Sequence, residues 1–160
     1  MANNDSEKLM KAKKVYNNMV AALRAQKWNF EPHDDDLVIV SGYTGDDFPI
    51  QFLFRVDAKR ECITFYTSKF VTFSDDKLID AAYAVIIANH GMVFGHFDLD
   101  LNDGSVVYTM SNSFADSDLG EGFFMDMLAT AVTTADRYND KFLMLSKGMI
   151  DLKKFIELES

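Results

Sequence analysis

Cysteine, proline and positive charge are scarce in this sequence, and each scarcity excludes something. Cys62 is the only cysteine, so no intrachain disulfide can form, and a lone thiol fits a reducing compartment. It lies in the run Cys62-Ile63-Thr64-Phe65-Tyr66 and is expected as a small buried hydrophobe. A nucleophile would need a positioned base, and His33, His90 and His96 offer no local pairing with it. The chain has only 2 prolines, with 48% apolar and 26% charged residues, which argues against disorder and long linkers.

Long hydrophobic runs are also missing. The longest, from Ala81 to Ala88, is far too short to span a bilayer. The opening stretch MANNDSEKLMKAKK has no apolar segment of the signal-peptide kind. A cytoplasmic location without membrane attachment is therefore expected. No G-x-G-x-x-G, Walker, H-E-x-x-H or C-x-x-C pattern occurs, so no catalytic residue, cofactor or metal site is assigned. The 16 basic residues face 25 acidic ones, giving a net charge of −9, which repels phosphate backbones and speaks against a nucleic-acid partner. Lys8, Lys11, Lys13 and Lys14 read as a solvated helix face.

What is present fits one α+β domain over 1–160, with a core from about 6 to 147 and a helical tail over 148–160. Leu9, Ala12, Tyr16, Met19 and Leu23 mark one helix face within 6–27. Trp28 and Phe30 begin an extended stretch. Strands are predicted over 37–43, 48–56 and 61–67, the last reaching towards Phe70, with turns at Thr44-Gly45-Asp46-Asp47 and Asp57-Ala58-Lys59-Arg60. Short turns between consecutive strands imply an antiparallel meander. Ser74 can cap a second helix, with Leu78, Ala82, Val85 and Ile86 as its buried face and Gly91 past its end. Strands over 92–101 and 105–112 follow. A third helix begins near Ser117 or Asp118, carries Phe124, Leu128, Ala131, Ala135, Tyr138, Phe142 and Leu145, and stops at Gly148. Leu152, Phe155 and Ile156 mark the tail helix. The order is α-β-β-β-α-β-β-α, and strands that neighbour one another in sequence indicate α+β with an antiparallel sheet.

The stretch HFDLDLNDGS, residues 96–105, has the look of a calcium loop. Counted from Asp98, Asp100 and Asn102 match ligand positions three and five. Position six is Asp103 instead of Gly, and position twelve is Thr109 instead of Glu. A hairpin with Asp103-Gly104 as its turn fits better. It sets Leu101 opposite Val106, Leu99 opposite Tyr108 and Phe97 opposite Met110, all on one face. The other aspartate groups, at 34–36, 46–47, 75–76 and 116/118, fall at turns or helix starts, where Asp bonds locally. An acid–base site would need His90 or His96 to converge with one of them.

One feature exceeds a plain core. Phe123, Met125 and Met127 lie off the main stripe of the third helix, and flexible methionines suit surfaces that accept partners. Phe123, Met127 and the tail residue Phe155 are the candidates for partner or dimer contact.

The run from Gly95 to Tyr108, GHFDLDLNDGSVVY, resembles the hairpin of the YbjN family, in which a G-x-F-x-x-D-x-x-D-G-like strand pair precedes a long helix. The Asn89-His90 junction, the run Ala135-Asp136-Arg137-Tyr138 and the element order fit as well, and the resemblance extends from about Trp28 to Leu145. His96 stands where the family commonly has a basic residue such as Arg. The resemblance implies a fold like that of type III secretion chaperones, which are small, acidic, cytoplasmic homodimers that hold polypeptides on apolar patches. It implies a non-enzymatic protein-binding module working as a homodimer with a polypeptide client. The alternative is a regulator in bacterial signalling or stress response that binds a discrete protein or small ligand.

Overall fold

The computed structural model describes residues 2–46, 48–69 and 71–159. Phe70, the expected far end of the third strand, and Asp47 of the Asp46-Asp47 turn lie outside them. Helix α1 (Ala2–Ala25) buries Ala12, Tyr16, Met19 and Leu23 as their spacing predicts, together with Val15 and Val20. Its lysines do more than face water. Lys8 pairs with Glu61 at 2.7 Å, Lys14 with Asp118 at 2.9 Å, and Lys11 donates to the Ala115 carbonyl. A lysine row that reads as solvated thus ties α1 to loops distant in sequence.

The strands β1 (Phe30–His33), β2 (Val38–Thr44), β3 (Pro49–Asp57) and β4 (Cys62–Thr67) form an antiparallel meander. The short β1 and β5 (Val71–Thr72) are additions to the predicted order. β7 (Ser105–Ser113) pairs with β4 and β5, and β6 (His96–Leu99) pairs with β7, completing a seven-stranded sheet. Successive side chains on a strand point to opposite faces. One face therefore carries Ile39, Phe54, Phe65 and Met110 in a cross-strand row, all buried under α1 and α3 (Glu121–Ser146). The aromatic rings pack through it, Phe52 stacked on Phe65 with centroids at 4.9 Å and Phe54 edge-on to Phe65 at 5.1 Å. Among the described residues no helix covers the opposite face. Its central row is Val40, Leu53 and Tyr66, each half-buried. Cys62 has the same parity and is half-buried on this open face, instead of lying in the core as expected.

The hairpin lies where predicted, but its register is displaced by two residues: Leu99 pairs with Val106 and Phe97 with Tyr108. An even displacement keeps every side chain on its predicted face. It does turn Asp103-Gly104 from a two-residue turn into the end of a longer loop. Asp100 N donates to Ser105 O at 2.9 Å and Gly104 N to Asp100 O at 2.8 Å. Asp100 Oδ1 accepts from Asn102 N, and Asp103 Oδ1 from Ser105 N, both at 2.9 Å. These local side-chain bonds select the wider loop. Leu101 is consequently at the exposed tip, and Met110 pairs with Phe65 on β4.

Helix α3 (Glu121–Ser146) buries the whole predicted stripe and also Met127, Val132 and Asn139. Gly148 (φ +68°) follows it, and the tail helix α4 (Leu152–Glu159) folds back against it and against α2 (Leu78–Asn89). Ser74 precedes a short 3-10 turn, Asp75–Lys77, that leads into α2.

Candidate protein-interaction surface

Helix α2, LIDAAYAVIIAN, has one charged residue, Asp80. Its buried residues are Ala81, Ala84, Val85 and Ala88. Small side chains let its backbone lie close to β6, α3 and α4. The bulky residues are therefore turned outward. Ile79 is 73% exposed and Ile86 65%, with Tyr83 exposed between them. The spacing 79, 83, 86 places all three on one stripe. The expected inward place of Ile86 is thus corrected: alanines, not the largest apolar residues, occupy the inner face. Leu101, from the β6–β7 loop, meets this stripe, and Leu78, Ile79, Ala82, Tyr83, Ile86 and Leu101 line an apolar groove of about 310 Å³. Val93 and Phe94, just beyond α2, are exposed as well. A helix apolar on all sides is normally buried on all sides, and exposed apolar patches of this kind mark interaction sites.

The strand beside this surface is guarded. Asn89, the last residue of α2, accepts a hydrogen bond from Phe97 N at 2.7 Å and donates one to Phe97 O at 3.0 Å. Those backbone groups of β6 are thereby taken, as an adjacent strand would take them. At the other end of the sheet, β1 carries Pro32, which has no N–H to offer an added strand.

A second feature adjoins the stripe. Phe155 of α4 is fully buried, 5.4 Å from the Phe142 ring. Near the end of α4, the Glu159 side chain is only 7% exposed. It accepts from Tyr138 Oη at 2.6 Å, pairs with Lys141, and lies 3.4 Å from Arg137. Burial alone pushes the Glu159 carboxyl up, but the hydrogen bonds from Lys141 and Tyr138, with the charges of Lys141 and Arg137, outweigh it and hold it below its usual range. Burial, and then the bond to Glu159, pushes the Tyr138 hydroxyl up to about 12. A cavity of about 600 Å³ opens between this cluster and the end of α2.

Two of the three residues nominated from sequence are buried, and the third is partly accessible. Met127 is 1% exposed and Phe155 is sealed against α3, so neither offers a face to a partner in this conformation. Phe123 is half-buried, edge-on to Phe124 at 5.6 Å, and retains some accessible ring. The extra apolar bulk of α3 widens the chain's own core. The residues that sequence reasoning missed are Ile79, Tyr83 and Leu101, and Ile86 was placed on the wrong side. A signal was available, because α2 has too few polar residues to cover any solvent face.

The histidines do not gather. His96 Nε2 lies 3.3 Å from Asp98 Oδ2, His33 Nε2 3.6 Å from Glu31, and His90 lines the cavity. Among the described residues no group of three or more His, Cys, Asp or Glu side chains could hold a metal ion. The hairpin carboxylates are engaged locally. Asp98 accepts from Thr109 at 2.9 Å. The hydrogen bond from Lys69, with those from Ser105, holds the Asp103 carboxyl well below the usual carboxylate range. Among the described residues no helix is long and apolar enough to cross a membrane.

Comparison with known proteins agrees with this architecture. A chain of the ExsC–ExsE complex superposes with a TM-score of 0.58 at 15% identity, covering 81% of this chain and 94% of that one. YbjN from E. coli superposes with a TM-score of 0.56 at 9% identity, covering 83% and 92%. Identities this low carry the fold alone, and the fold is the α+β class with an antiparallel sheet that was expected from the sequence. No curated protein sequence matches the chain. The family model described as "Putative bacterial sensory transduction regulator" matches residues 17–144, from within α1 almost to the end of α3, and leaves α4 outside. Neither that description nor the two structures' names denotes an enzyme. The chain belongs to the YbjN family.

Proposed function

We propose that this protein is a non-enzymatic, cytoplasmic binding module, acting over 1–160 as one domain, that dimerises through the outer face of α2 and holds a polypeptide partner. The observation that carries this reading is the inversion of α2, with alanines inside and Ile79, Tyr83 and Ile86 outside. Covering that stripe removes apolar area from water at about 25 cal/mol per Å². A second copy is a suitable cover. The chain's net charge of −9 repels its own kind, but α2 contributes only Asp80 to the contact, so two copies can meet there with little like-charge cost. A two-fold contact uses the same patch on both subunits.

The polypeptide partner has support from fold likeness, since one structural relative comes from a two-protein complex. We assign the partner to the open sheet face, where Val40, Leu53 and Tyr66 form an apolar row rimmed by Glu31, Arg55 and Gln51. Pro32 on one edge strand and Asn89 beside the other leave capture by side chains as the main mode, ahead of strand addition. Phe123 remains a subsidiary contact.

The test is native mass spectrometry with light scattering on the wild type and on Ile79→Asp/Tyr83→Asp. The wild type is expected to be a dimer and the variant a folded monomer with unchanged helix content. A wild-type monomer, or a variant that still dimerises, removes α2 as the interface. A dimer that retains one defined polypeptide after gentle capture marks a regulator of a discrete partner. Rescue of many aggregating clients marks a general holder of unfolded segments.

A further inference from the structure

The cavity between α2, α3 and α4 adjoins the proposed docking stripe and shares only Ile86 with the groove there. Its volume of about 600 Å³ lies within the range of small-molecule sites, and so does its chemistry, with apolar walls and a few convergent polar groups. Ile86 and Ile87 supply apolar wall from α2, and Ile156 from α4. Arg137, Thr134, His90 and the Glu159 carboxylate bring polar groups to the same space.

Arg137 is the informative residue. A guanidinium has five N–H donors in a fixed fork suited to carboxylate and phosphate. Here its ion pair is the 3.4 Å contact to Glu159, and its side chain is 64% exposed. Glu159 does not require it, because Tyr138 and Lys141 already bond both carboxylate oxygens. Arg137 and Lys141 against Glu159 leave this cluster one positive charge in excess, in a chain of net charge −9. Arg137 also lies over the Tyr138 ring at 5.3 Å, beside the cavity.

We infer that this cavity binds a small amphipathic anion: an apolar body against Ile86 and Ile87, and one carboxylate or phosphate held by Arg137. The site goes beyond the dimer and client reading and stands without it. Ile79 and Tyr83 lie outside the cavity lining, so substitutions there test α2 docking and leave this site intact.

Calorimetric titration of the full chain with dodecanoate, dodecyl phosphate and dodecanol, below their aggregation thresholds, tests the assignment. Methyl resonances of Ile87 and Met92, both on the cavity wall, report the location. At least one anion is expected to bind one per chain and to move both methyls. Dodecanol is expected to bind at least about tenfold more weakly, the worth of a charged hydrogen bond. Arg137→Gln should abolish that difference. Preference for dodecanoate identifies a fatty-acid-like ligand, and preference for dodecyl phosphate a phosphorylated one. Absence of binding by either anion, equal binding of the alcohol, or indifference to Arg137→Gln overturns the site. So do shifts at Ile79 in place of Ile87, which would mark adsorption to the outer stripe.

Discussion

The side-chain amide of Asn89 bonds both backbone groups of Phe97, accepting from N at 2.7 Å and donating to O at 3.0 Å. One residue thus ends α2, anchors it to β6 and closes that strand's outer side. Asn89→Ala removes both bonds and leaves the backbone pair to water or to another chain. At about 1 kcal/mol for each bond, the loss is about 2 kcal/mol, which lowers the melting temperature by about 4–8 °C for a domain of this size. Thermal denaturation checks the figure, and an unchanged midpoint would mean that the pairing contributes nothing net. Size-exclusion chromatography should also show more self-association, as a β edge is opened.

Two glycines with similar backbone angles should respond differently to alanine. Gly104 has φ +71°, and a Cβ there would lie 2.1 Å from the Phe73 carbonyl oxygen. That neighbour is backbone and is held in place by the Phe73 N to Gly104 O bond of 2.9 Å. Gly91 has φ +77° and nothing within 4 Å of the added carbon. Gly91→Ala pays only the left-handed backbone penalty, about 1 kcal/mol. Gly104→Ala adds a clash with fixed atoms and is expected to cost more than twice as much in urea denaturation. Equal costs would refute a close contact at Phe73.

Charge placed on α3 and on α2 separates core from surface. Met127→Asp puts an unpaired carboxylate into a fully buried site, and loss of the folded state is expected, read by circular dichroism. Ile79→Asp on the exposed stripe should leave the monomer's fold intact and weaken the proposed dimer, so that any concentration dependence of the melting temperature is lost. A folded Met127→Asp protein would show that α3 packs differently.

Docking of α4 is expected to have a pH window. The folded-state pKa of Glu159 is depressed, so its stabilisation is full above the ordinary value of 4.5 and fades as pH falls through the lower folded value. Tyr138 is shifted the other way, to about 12. Its contribution is full below the unfolded value of about 10 and is lost as pH rises towards 12. Protection against hydrogen exchange across 152–159, taken relative to the intrinsic exchange rate at each pH, should therefore be greatest between these limits and fall on either side. Glu159→Gln should flatten the acid limb, and an acid limb unchanged in that variant would assign the effect to another group.

Calcium at millimolar concentration should leave the melting temperature and the amide resonances of 98–105 unchanged. The carboxylates of Asp98, Asp100 and Asp103 already accept bonds from Thr109, Asn102, Ser105 and Lys69. A metal would have to displace those bonds, and Asp103 stands where an EF loop needs Gly. A saturable calcium shift at these amides would overturn the hairpin reading.

Much of the architecture was legible in the amino-acid order. Alternation and turn residues mark the strands of the meander and the hairpin. The stripe from Phe124 to Leu145 marks α3, because side-chain period follows local backbone geometry. Local chemistry also dismissed the calcium loop. The hairpin register was readable only to within an even step, since either pairing buries the same residues and only the loop's hydrogen bonds choose between them. The lysines of α1 read as solvated because their partners, Glu61, Ala115 and Asp118, are remote in sequence. The exposed apolar stripe of α2 was the least legible feature. Apolar residues at 79, 83 and 86 and at 81, 84, 85 and 88 lie on different sides of one helix, and sequence alone gives no sign of which side packs inward. The tertiary structure decided it, because α2 must lie close to β6, α3 and α4, and only the alanine side permits that approach. The same packing put Met127 and Phe155 out of reach of a partner and brought Arg137, Tyr138 and Glu159 together beside a cavity. Periodicity is a local property that the sequence by itself determines, whereas the choice of a helix's inward side and the convergence of distant charges depend on the packed neighbours.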